Sequence, residues 1–283
     1  MTDYMISEYK IGRTPNPDVM CNREIKFGLF LKKALKEGAN LMATGHYARI
    51  KRIKNDKKIR NSQSVIYKLL TAVDKNKDQS YFLWTLTQKQ LKHCLFPIGG
   101  YIKPEVRKLA RKFGLPTAEK KDSQGVCFIG PLDMKDFLKR HIKPKNGKIM
   151  DLNGGLVGTH DGAFYYTIGQ RHGLDIKNGK GPYYVVRKDL KKNIVYVGSN
   201  KDLLIKKMQL TGINWINLPV DNRHRKSVIH RLDIRVRYRT RLSKAVINNN
   251  GEVVFKKPET AVTPGQSAVF YRGDELVGGG IIR

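Results

Sequence analysis

Residues 22–46, NREIKFGLFLKKALKEGANLMATGH, indicate the fold class of this 283-residue chain. Apolar side chains recur at near-helical spacing from Asn22 onward, and Gly38 ends the run. A short apolar strand over 41–44 follows and ends at Gly45-His46. This order is typical of an α/β layer, in which ligands bind beyond the carboxyl ends of parallel strands.

Further helical patterns accompany this layer in the first half of the chain. They cover residues 80–95, 104–113 and 132–141, and a proline stands in the first turn of the second. The basic run 51–60, KRIKNDKKIR, predicts a solvated hairpin tip between two strands. We therefore expect an α/β domain over residues 1–142.

The sequence changes character near residue 143. From there Gly, Pro and Asn separate short β-like runs, and no further long helix is predicted; the runs are 163–167, 183–187 and 193–197. A second break lies at 200–206. The pattern predicts two small all-β domains, 143–204 and 205–283.

Charge is the outlier in the composition. The chain has 55 Lys plus Arg against 24 Asp plus Glu, a formal net charge of +31. Such a field attracts polyanions, nucleic acid above all; lysine enrichment in an AT-rich genome is the alternative. No stretch reaches the roughly 18 apolar residues of a membrane span, and the N-terminus lacks the apolar core of a signal peptide. We expect a cytoplasmic protein with no membrane partner.

Two cysteines stand in polar surroundings. The prolines of 14–27, TPNPDVMCNREIKF, stiffen a loop that delivers Cys21 to the predicted helix start, where the helix dipole favours a thiolate. Asp18 is a candidate base nearby. Cys127 follows polar residues and a glycine, which places it on a loop. Such a pair suits sulfur relay, with a persulfide on one cysteine and resolution by the other. A buried cysteine and a turn-forming aspartate are the alternative.

The third cysteine, Cys94, has apolar neighbours near the end of a helical pattern, so we expect it in the core. The cysteines are widely spaced, with no CxxC pair and no paired histidines, which is poor spacing for zinc. We therefore expect no metal site. Three cysteines in a chain of this length also indicate a reducing compartment rather than a disulfide framework.

Residues 233–242, DIRVRYRTRL, alternate basic and other side chains. If they form a strand, four guanidinium groups share one face at a spacing of about 6.6 Å; they belong to Arg235, Arg237, Arg239 and Arg241. Such a ladder suits phosphate contacts, with Tyr238 on the other face as a core or stacking residue. A solvated edge strand protected by charge is the alternative.

Several long blocks resemble, in order, the signature blocks of the tRNA-specific 2-thiouridylases. They are TPNPDVMCNREIKFG, ATGHYARI, KDQSYFLW, FPIGGYIKPEVRKLA, KKDSQGVCFIG, YTIGQRHGL, RVRYR, TPGQSAVFY and GGGIIR. The resemblance implies a truncated adenine-nucleotide hydrolase-like parallel-sheet domain followed by two small all-β domains, the last a β-barrel.

The resemblance also implies a mechanism. ATP, with Mg²⁺, adenylates the C2 oxygen of a wobble uridine, and a persulfide on Cys127, supplied by a sulfur carrier protein, delivers sulfur to C2. Cys21 is then the nucleophile that resolves the persulfide and leaves a transient Cys21–Cys127 disulfide. Gly45 is expected at ATP. The residues expected at the target base or elsewhere on tRNA are Asn16, Pro17, Asp18, His46, Lys77, Asp78, Gln79, Arg237, Tyr238 and Gln266.

One departure limits the resemblance. The serine-glycine loop of SGGVDSS type, which holds the ATP pyrophosphate in this family, has no counterpart in the sequence. We therefore expect this chain to bind tRNA but not to adenylate it unaided. An RNA-binding remnant without chemistry is the second reading, and a generic basic ribosome-associated protein is the third.

Overall fold

The computed structural model describes residues 1–54, 65–120, 134–179, 181–217, 230–260 and 262–283. Helix α1 (Thr2–Lys10) opens the chain. After a short loop, α2 (Pro17–Met20), a π-helix (Cys21–Phe30) and α3 (Leu31–Lys36) follow one another without a break, because the joining residues keep helical dihedral angles. Gly38, at φ +90°, ends this rod, as the sequence predicts.

A small parallel pair follows the rod. Strand β1 (Met42–Ala43) pairs in parallel with β4 (Cys94–Leu95), so the α/β layer with a parallel sheet is present. Between them run β2 (Ala48–Lys54) and β3 (Val65–Thr71), which form the predicted antiparallel hairpin. The predicted tip, 51–60, is wrong over 51–54, which belong to β2, and residues 55–64 lie outside the described residues.

The predicted helix over residues 80–95 is wrong. The segment contains a 3₁₀ turn (Ser80–Leu83) and the short helix α4 (Gln88–Leu91), which restarts because Thr87 and Gln90 form a capping box. Most of its large side chains are fully buried, including Tyr81 and Trp84. Burial on all sides produces a long apolar run without requiring a helix.

The next two helices and the first small sheet match the predicted pattern more closely. Helices α5 (Lys103–Lys112) and α6 (Met134–His141) lie where the sequence places them. A four-stranded sheet in the order β6-β5-β8-β7 follows; its strands are β5 (Gly147–Asp151), β6 (Leu156–His160), β7 (Tyr184–Asp189) and β8 (Ile194–Gly198).

The strand predicted over 163–167 is wrong. Ala163–Tyr165 forms a 3₁₀ turn, because Gly162 adopts φ +151° and the Asn193 Oδ1 atom accepts from the Ala163 amide at 3.1 Å. The turn brings Ala163 and Tyr165 into the core of this sheet.

A closed barrel completes the chain. A 3₁₀ turn (Asn200–Leu203) leads into its six strands, β13-β10-β11-β12-β9-β14, and β13 also pairs with β14 to close the ring. They are β9 (Ile205–Trp215), β10 (His230–Arg235), β11 (Ser243–Ile247), β12 (Glu252–Glu259), β13 (Ser267–Arg272) and β14 (Glu275–Ile282). The β3 strand pairs through Leu69 and Leu70 with the first two residues of β14, before the segment of β14 that pairs with β9.

The barrel and the N-terminal layer share a core because β13 is buried on both faces. Ala268 and Phe270 point into the barrel interior, whereas Val269 and Tyr271 pack outward against the N-terminal residues. This alternation follows from the period of two of a β-strand. The predicted boundaries at residues 142 and 204 stay predictions.

Candidate functional site

The segment 14–21, called the cysteine segment below, enters the helical rod through an Asn cap. Asn16 is extended (φ −106°), as a residue before proline prefers, and its Oδ1 atom accepts from the Val19 amide at 3.2 Å. Pro17 occupies the first helical position. The predicted helix start at Asn22 is therefore wrong: the helix begins at Pro17.

This start changes the environment of Cys21. Its amide donates to the carbonyls of Pro17 and Asp18, so Cys21 lies beyond the first turn, where the helix dipole acts weakly. The side chain is buried, with 2% exposed, whereas Asn16, Pro17 and Asp18 are partly exposed. Cys21 also begins the π-helix, a geometry often found at functional sites.

Of the other two cysteines, the structure describes Cys94 but not Cys127. Cys127, the expected sulfur carrier, lies outside the described residues, in the gap 121–133. Cys94 is buried in the core, donates its thiol proton to the Gln90 carbonyl at 3.1 Å, and has a pKa raised to about 12 by burial. Cys94 therefore lies in the core, as the sequence predicts, and its thiol is protonated at neutral pH and a poor nucleophile.

Gly45 and His46 lie just beyond the carboxyl end of β1. Gly45 is exposed, and a Cβ built on it would meet no atom within 4 Å, so space is open above its backbone. His46 is buried between the rings of Phe27 and Phe96, and its Nδ1 atom shares a hydrogen bond of 2.8 Å with the Thr44 hydroxyl. Burial, with a smaller contribution from Lys26, lowers the pKa of His46 to about 3. His46 is thus neutral at neutral pH.

Gln79 and Asp78 connect this strand end to the barrel. Gln79 exchanges two hydrogen bonds with the main chain of Tyr47. The buried carboxylate of Asp78 accepts from the amides of Ala72 and Ser80 and from the Arg235 guanidinium at 3.4 Å. Asp78 therefore holds this loop in place and binds an arginine of the barrel.

The arginine ladder predicted over 233–242 is wrong. Strand β10 ends at Arg235, and the next residues form a turn in which Arg239 has φ +63°. Arg235 is partly buried because it pairs with Asp78 and lies over the Tyr271 ring at 5.3 Å. Arg237, Arg239 and Arg241 remain exposed, on a turn instead of one strand face.

The turn nevertheless forms one wall of a cavity of about 320 Å³, called the basic pocket below. The structure brings the sequence-predicted residues Lys77, Asp78 and Tyr238 together here; the remaining lining residues are Lys75, Asn76, Arg235 and Arg239. Arg239 lies over the Tyr238 ring at 5.1 Å. With the carboxylate of Asp78 paired to Arg235, the lysines and Arg239 give the pocket a positive excess that suits phosphate.

A short series of contacts links the cysteine helix to the basic pocket. Asn22, the residue after Cys21, donates from Nδ2 to the Phe82 carbonyl at 3.1 Å. The Phe82 ring packs against the Tyr238 ring with centroids 4.5 Å apart. Cys21 therefore lies in an element that contacts a wall of the pocket through a single intermediate turn.

Gln266 lies apart from the basic pocket lining and contacts the cysteine segment. Its Nε2 atom donates to the carbonyls of Thr14 at 2.9 Å and Pro15 at 3.2 Å. The barrel therefore contacts the chain just before Asn16, Pro17 and Asp18, the residues expected at the target base. The sequence gives no local sign of this contact, which joins positions more than 250 residues apart.

A second basic surface, the outer groove, was missed by sequence reasoning. This cavity of about 620 Å³ crosses the outside of the barrel, and its cationic lining residues are Lys206, Arg231, Lys244, Lys256 and Arg272. Among the described lining residues, the carboxylate comes from Asp233, which pairs with Lys244 at 3.0 Å. Each of these five cations lies on a different strand of the barrel, so no short sequence window contains the patch.

Two negative findings concern the described ranges alone. Within them, no group of three or more His, Cys, Asp or Glu side chains is arranged to hold a metal ion. Over the same part of the chain, no helix has the length and apolar character needed to cross a membrane.

Comparison with known proteins covers the whole length of the chain. Residues 1–131 match the family described as tRNA methyl transferase HUP domain, residues 135–199 the tRNA methyl transferase PRC-barrel domain, and residues 205–282 the aminomethyltransferase β-barrel domain. A protein of Bacillus licheniformis is 46% identical over 99% of this chain and 73% of its own length. Proteins of Geobacillus thermodenitrificans and Listeria monocytogenes are 44% and 45% identical with the same coverage. All three are named tRNA-specific 2-thiouridylase MnmA.

Proposed function

The chain belongs to the tRNA-specific 2-thiouridylase family, and from that membership we propose that it acts in the 2-thiolation of a wobble uridine of tRNA. The observation that carries the proposal is the contact series from Cys21 through Asn22 and Phe82 to Tyr238, which joins the cysteine helix to the basic pocket. A pocket with a positive excess, joined to the cysteine helix through one turn, suits a protein that holds an RNA backbone while sulfur is transferred to a base.

The sulfur step uses the two cysteines of the polar segments. The terminal sulfur of a Cys127 persulfide bonds to C2 of the uridine, and the C2 oxygen leaves with AMP. The Cys21 thiolate then attacks the Cys127 sulfur and breaks the bond between the two persulfide sulfurs, whose electron pair passes to the sulfur on the base. A 2-thiouridine and a Cys21–Cys127 disulfide result, and a dithiol reductant restores both thiols.

The nucleotide is assigned to the open end of β1. ATP with Mg²⁺ would supply the AMP leaving group on the C2 oxygen. Gly45 fits one edge of a nucleotide because it is exposed and its backbone faces open space. His46, the next residue, is neutral at neutral pH. Asp18 is the candidate acceptor for a thiol proton.

The tRNA is assigned to the basic pocket and its rim. Lys77 and Arg239 approach phosphates, and Tyr238 offers a ring face to a base. Arg237 is exposed on the same turn. The wobble base has to leave its stack to reach Cys21, which suits a pocket that holds the backbone while the base is turned out. A persulfide-donating carrier protein is the proposed second partner.

Cysteine variants test the sulfur step. Because adenylation is expected to need an SGGVDSS-type loop, the chain is joined to an N-terminal segment that carries one and is incubated with unmodified tRNA, ATP, Mg²⁺ and a persulfide donor. 2-Thiouridine is measured by mass spectrometry of nucleosides, and persulfide on Cys127 is measured on the protein. We expect the Cys21→Ser and Cys127→Ser variants to form no 2-thiouridine while binding tRNA normally. Cys94→Ser is the matched control and keeps the wild-type result, because that thiol is a protonated core group.

The results of these assays distinguish a tRNA-thiolating enzyme from a protein that only binds tRNA. Normal 2-thiouridine formation in Cys127→Ser would refute the carrier role. Tight tRNA binding with persulfide on Cys127 and no 2-thiouridine in the wild type would leave a tRNA-binding protein without the complete reaction.

A further inference from the structure

A loop of the barrel holds the main chain of the cysteine segment. The Thr14 amide donates to the Pro264 carbonyl at 2.9 Å, and the Gln266 side chain donates to the carbonyls of Thr14 and Pro15. These three hydrogen bonds link one end of the barrel to two consecutive residues. All of the acceptors are main-chain carbonyls, so the contact fixes the backbone itself.

Gly265 allows the two backbones to approach this closely. It has φ +92°, and a Cβ built on it would lie 2.9 Å from the N, C and O atoms of Thr14. A larger residue would therefore push the cysteine segment away from the barrel.

The barrel side of the contact is rigidly attached. The Gly265 amide donates to the Ile282 carbonyl at 2.8 Å, and the Ile282 amide donates to the Gln266 carbonyl at 2.8 Å. The loop is thus paired to the closing strand β14. The hydrogen bonds that hold the cysteine segment therefore come from a loop that is itself bonded to the barrel.

The contact is transmitted to Cys21 over a few residues. Pro15 is followed by Asn16, which caps the helix at the Val19 amide and accepts from the Met20 amide at 3.3 Å. The Cys21 amide then bonds to the helix carbonyls before it. A shift of the Thr14 and Pro15 carbonyls would move this cap and loosen the first turn.

We propose that Gln266 is a positioning residue: through the carbonyls of Thr14 and Pro15 it lets the barrel set where the helix that carries Cys21 begins. This role differs from the tRNA contact that the family resemblance implies for Gln266. Its significance for sulfur transfer rests on the proposed function of Cys21, whereas the mechanical coupling is measurable without tRNA or ATP.

The Gln266→Glu variant tests the coupling. It keeps the shape of the side chain but replaces two N–H donors by a carboxylate that faces two carbonyl oxygens. We expect the amides of Val19, Met20 and Cys21 to exchange hydrogen about tenfold faster, because two hydrogen bonds are lost and repulsion is added. Exchange is measured by mass spectrometry on the free protein, and alkylation of the Cys21 thiol is measured in parallel.

Gln209 provides the matched control. It lies on the same barrel and also donates Nε2 to two main-chain carbonyls, those of Asn250 at 2.6 Å and Leu210 at 3.3 Å. Gln209→Glu removes an equivalent pair of bonds away from the cysteine segment. We expect it to leave exchange at residues 14–21 and alkylation of Cys21 at the wild-type rates.

A third variant separates hydrogen bonding from packing. Gln266→Ala loses the donors without adding repulsion, so exchange should rise less than in Gln266→Glu. Faster exchange in Gln266→Ala than in Gln266→Glu would show that side-chain volume matters and would overturn the inference. Equal exchange in wild type and both variants would overturn it as well. Either result leaves the proposed tRNA thiolation standing, because that is tested by 2-thiouridine formation.

Discussion

At the residue scale, the fold sets the charge state of His46. The unfolded chain binds a proton at this histidine below about pH 6.5, whereas the folded protein keeps it neutral down to about pH 3. Between these values the unfolded state binds more protons, so stability is lost as the pH falls through this window. A contact of His46 with tRNA at neutral pH would be a hydrogen bond of a neutral imidazole.

Replacing His46 by Gln should remove this pH dependence. We expect the unfolding free energy of the wild type, relative to His46→Gln, to fall by about 1.5 kcal/mol between pH 6.5 and pH 5. Denaturant unfolding at a series of pH values measures the difference. His172→Gln, at an exposed position, is the control for removing an imidazole. Parallel curves for the wild type and His46→Gln would show that His46 takes up its proton at the same pH in the folded protein as in the unfolded chain.

Single residues also show how far the sequence could be interpreted. The core role of Cys94 followed from its apolar neighbours, and Gly38 ended its helix as predicted. The start of the cysteine helix did not follow, because the Asn16-Pro17 cap signal stands inside a proline-rich stretch that also reads as a loop. A local signal was present there, and its interpretation was wrong.

At the element scale, β14 joins the barrel to the N-terminal layer. Its Gly279 faces the buried indole of Trp84, and a Cβ built there would lie 2.7 Å from the ring. The Trp84 Nε1 atom donates to the Ser267 hydroxyl of β13 at 3.0 Å, which fixes the ring against the barrel wall. The glycine-rich end of the chain thus serves as a flat surface for an aromatic side chain.

Gly279→Ala should therefore destabilise the protein. We expect a loss of about 1–3 kcal/mol in unfolding free energy, because neither the indole nor the strand can yield. Chemical denaturation measures it. Gly100→Ala is the matched control, since a Cβ there would meet no atom within 4 Å. Equal stability of Gly279→Ala and the wild type would show that Trp84 can move freely.

The failures of prediction at this scale have a common cause. The alternation in residues 233–242 predicts a long strand, yet β10 ends at Arg235, which pairs with Asp78 more than 150 residues earlier in the chain. The apolar run of 80–95 predicts a helix, but those side chains are packed between the layer and the barrel. Tertiary contacts overrode local periodicity in both segments.

At the scale of the whole molecule, basic side chains line two concave surfaces instead of one strand face. The basic pocket and the outer groove both contain residues of the barrel, and Lys75 of the pocket pairs with Asp274 in the turn that follows β13. The sequence predicted the sign of the field from the net charge. It could not predict the surfaces, because their lining residues come from separate strands and from the N-terminal layer.

Salt dependence of tRNA binding separates local contacts from the general field of a +31 chain. A Lys or Arg that contacts phosphate displaces a bound cation, so log K falls with log salt in proportion to the number of such contacts. In Arg237→Gln/Arg239→Gln, we expect weaker binding and a slope that is shallower by up to about two units.

Lys32→Gln/Lys36→Gln removes the same charge from the exposed side of α3, which does not line the pocket, and should leave the slope nearly unchanged. A third double variant, Arg231→Gln/Lys256→Gln, tests whether the outer groove also contacts tRNA. Filter binding at several salt concentrations gives all three slopes. Equal losses in every pair would mean that the net charge alone attracts tRNA, and the basic pocket would then have no special part in binding it.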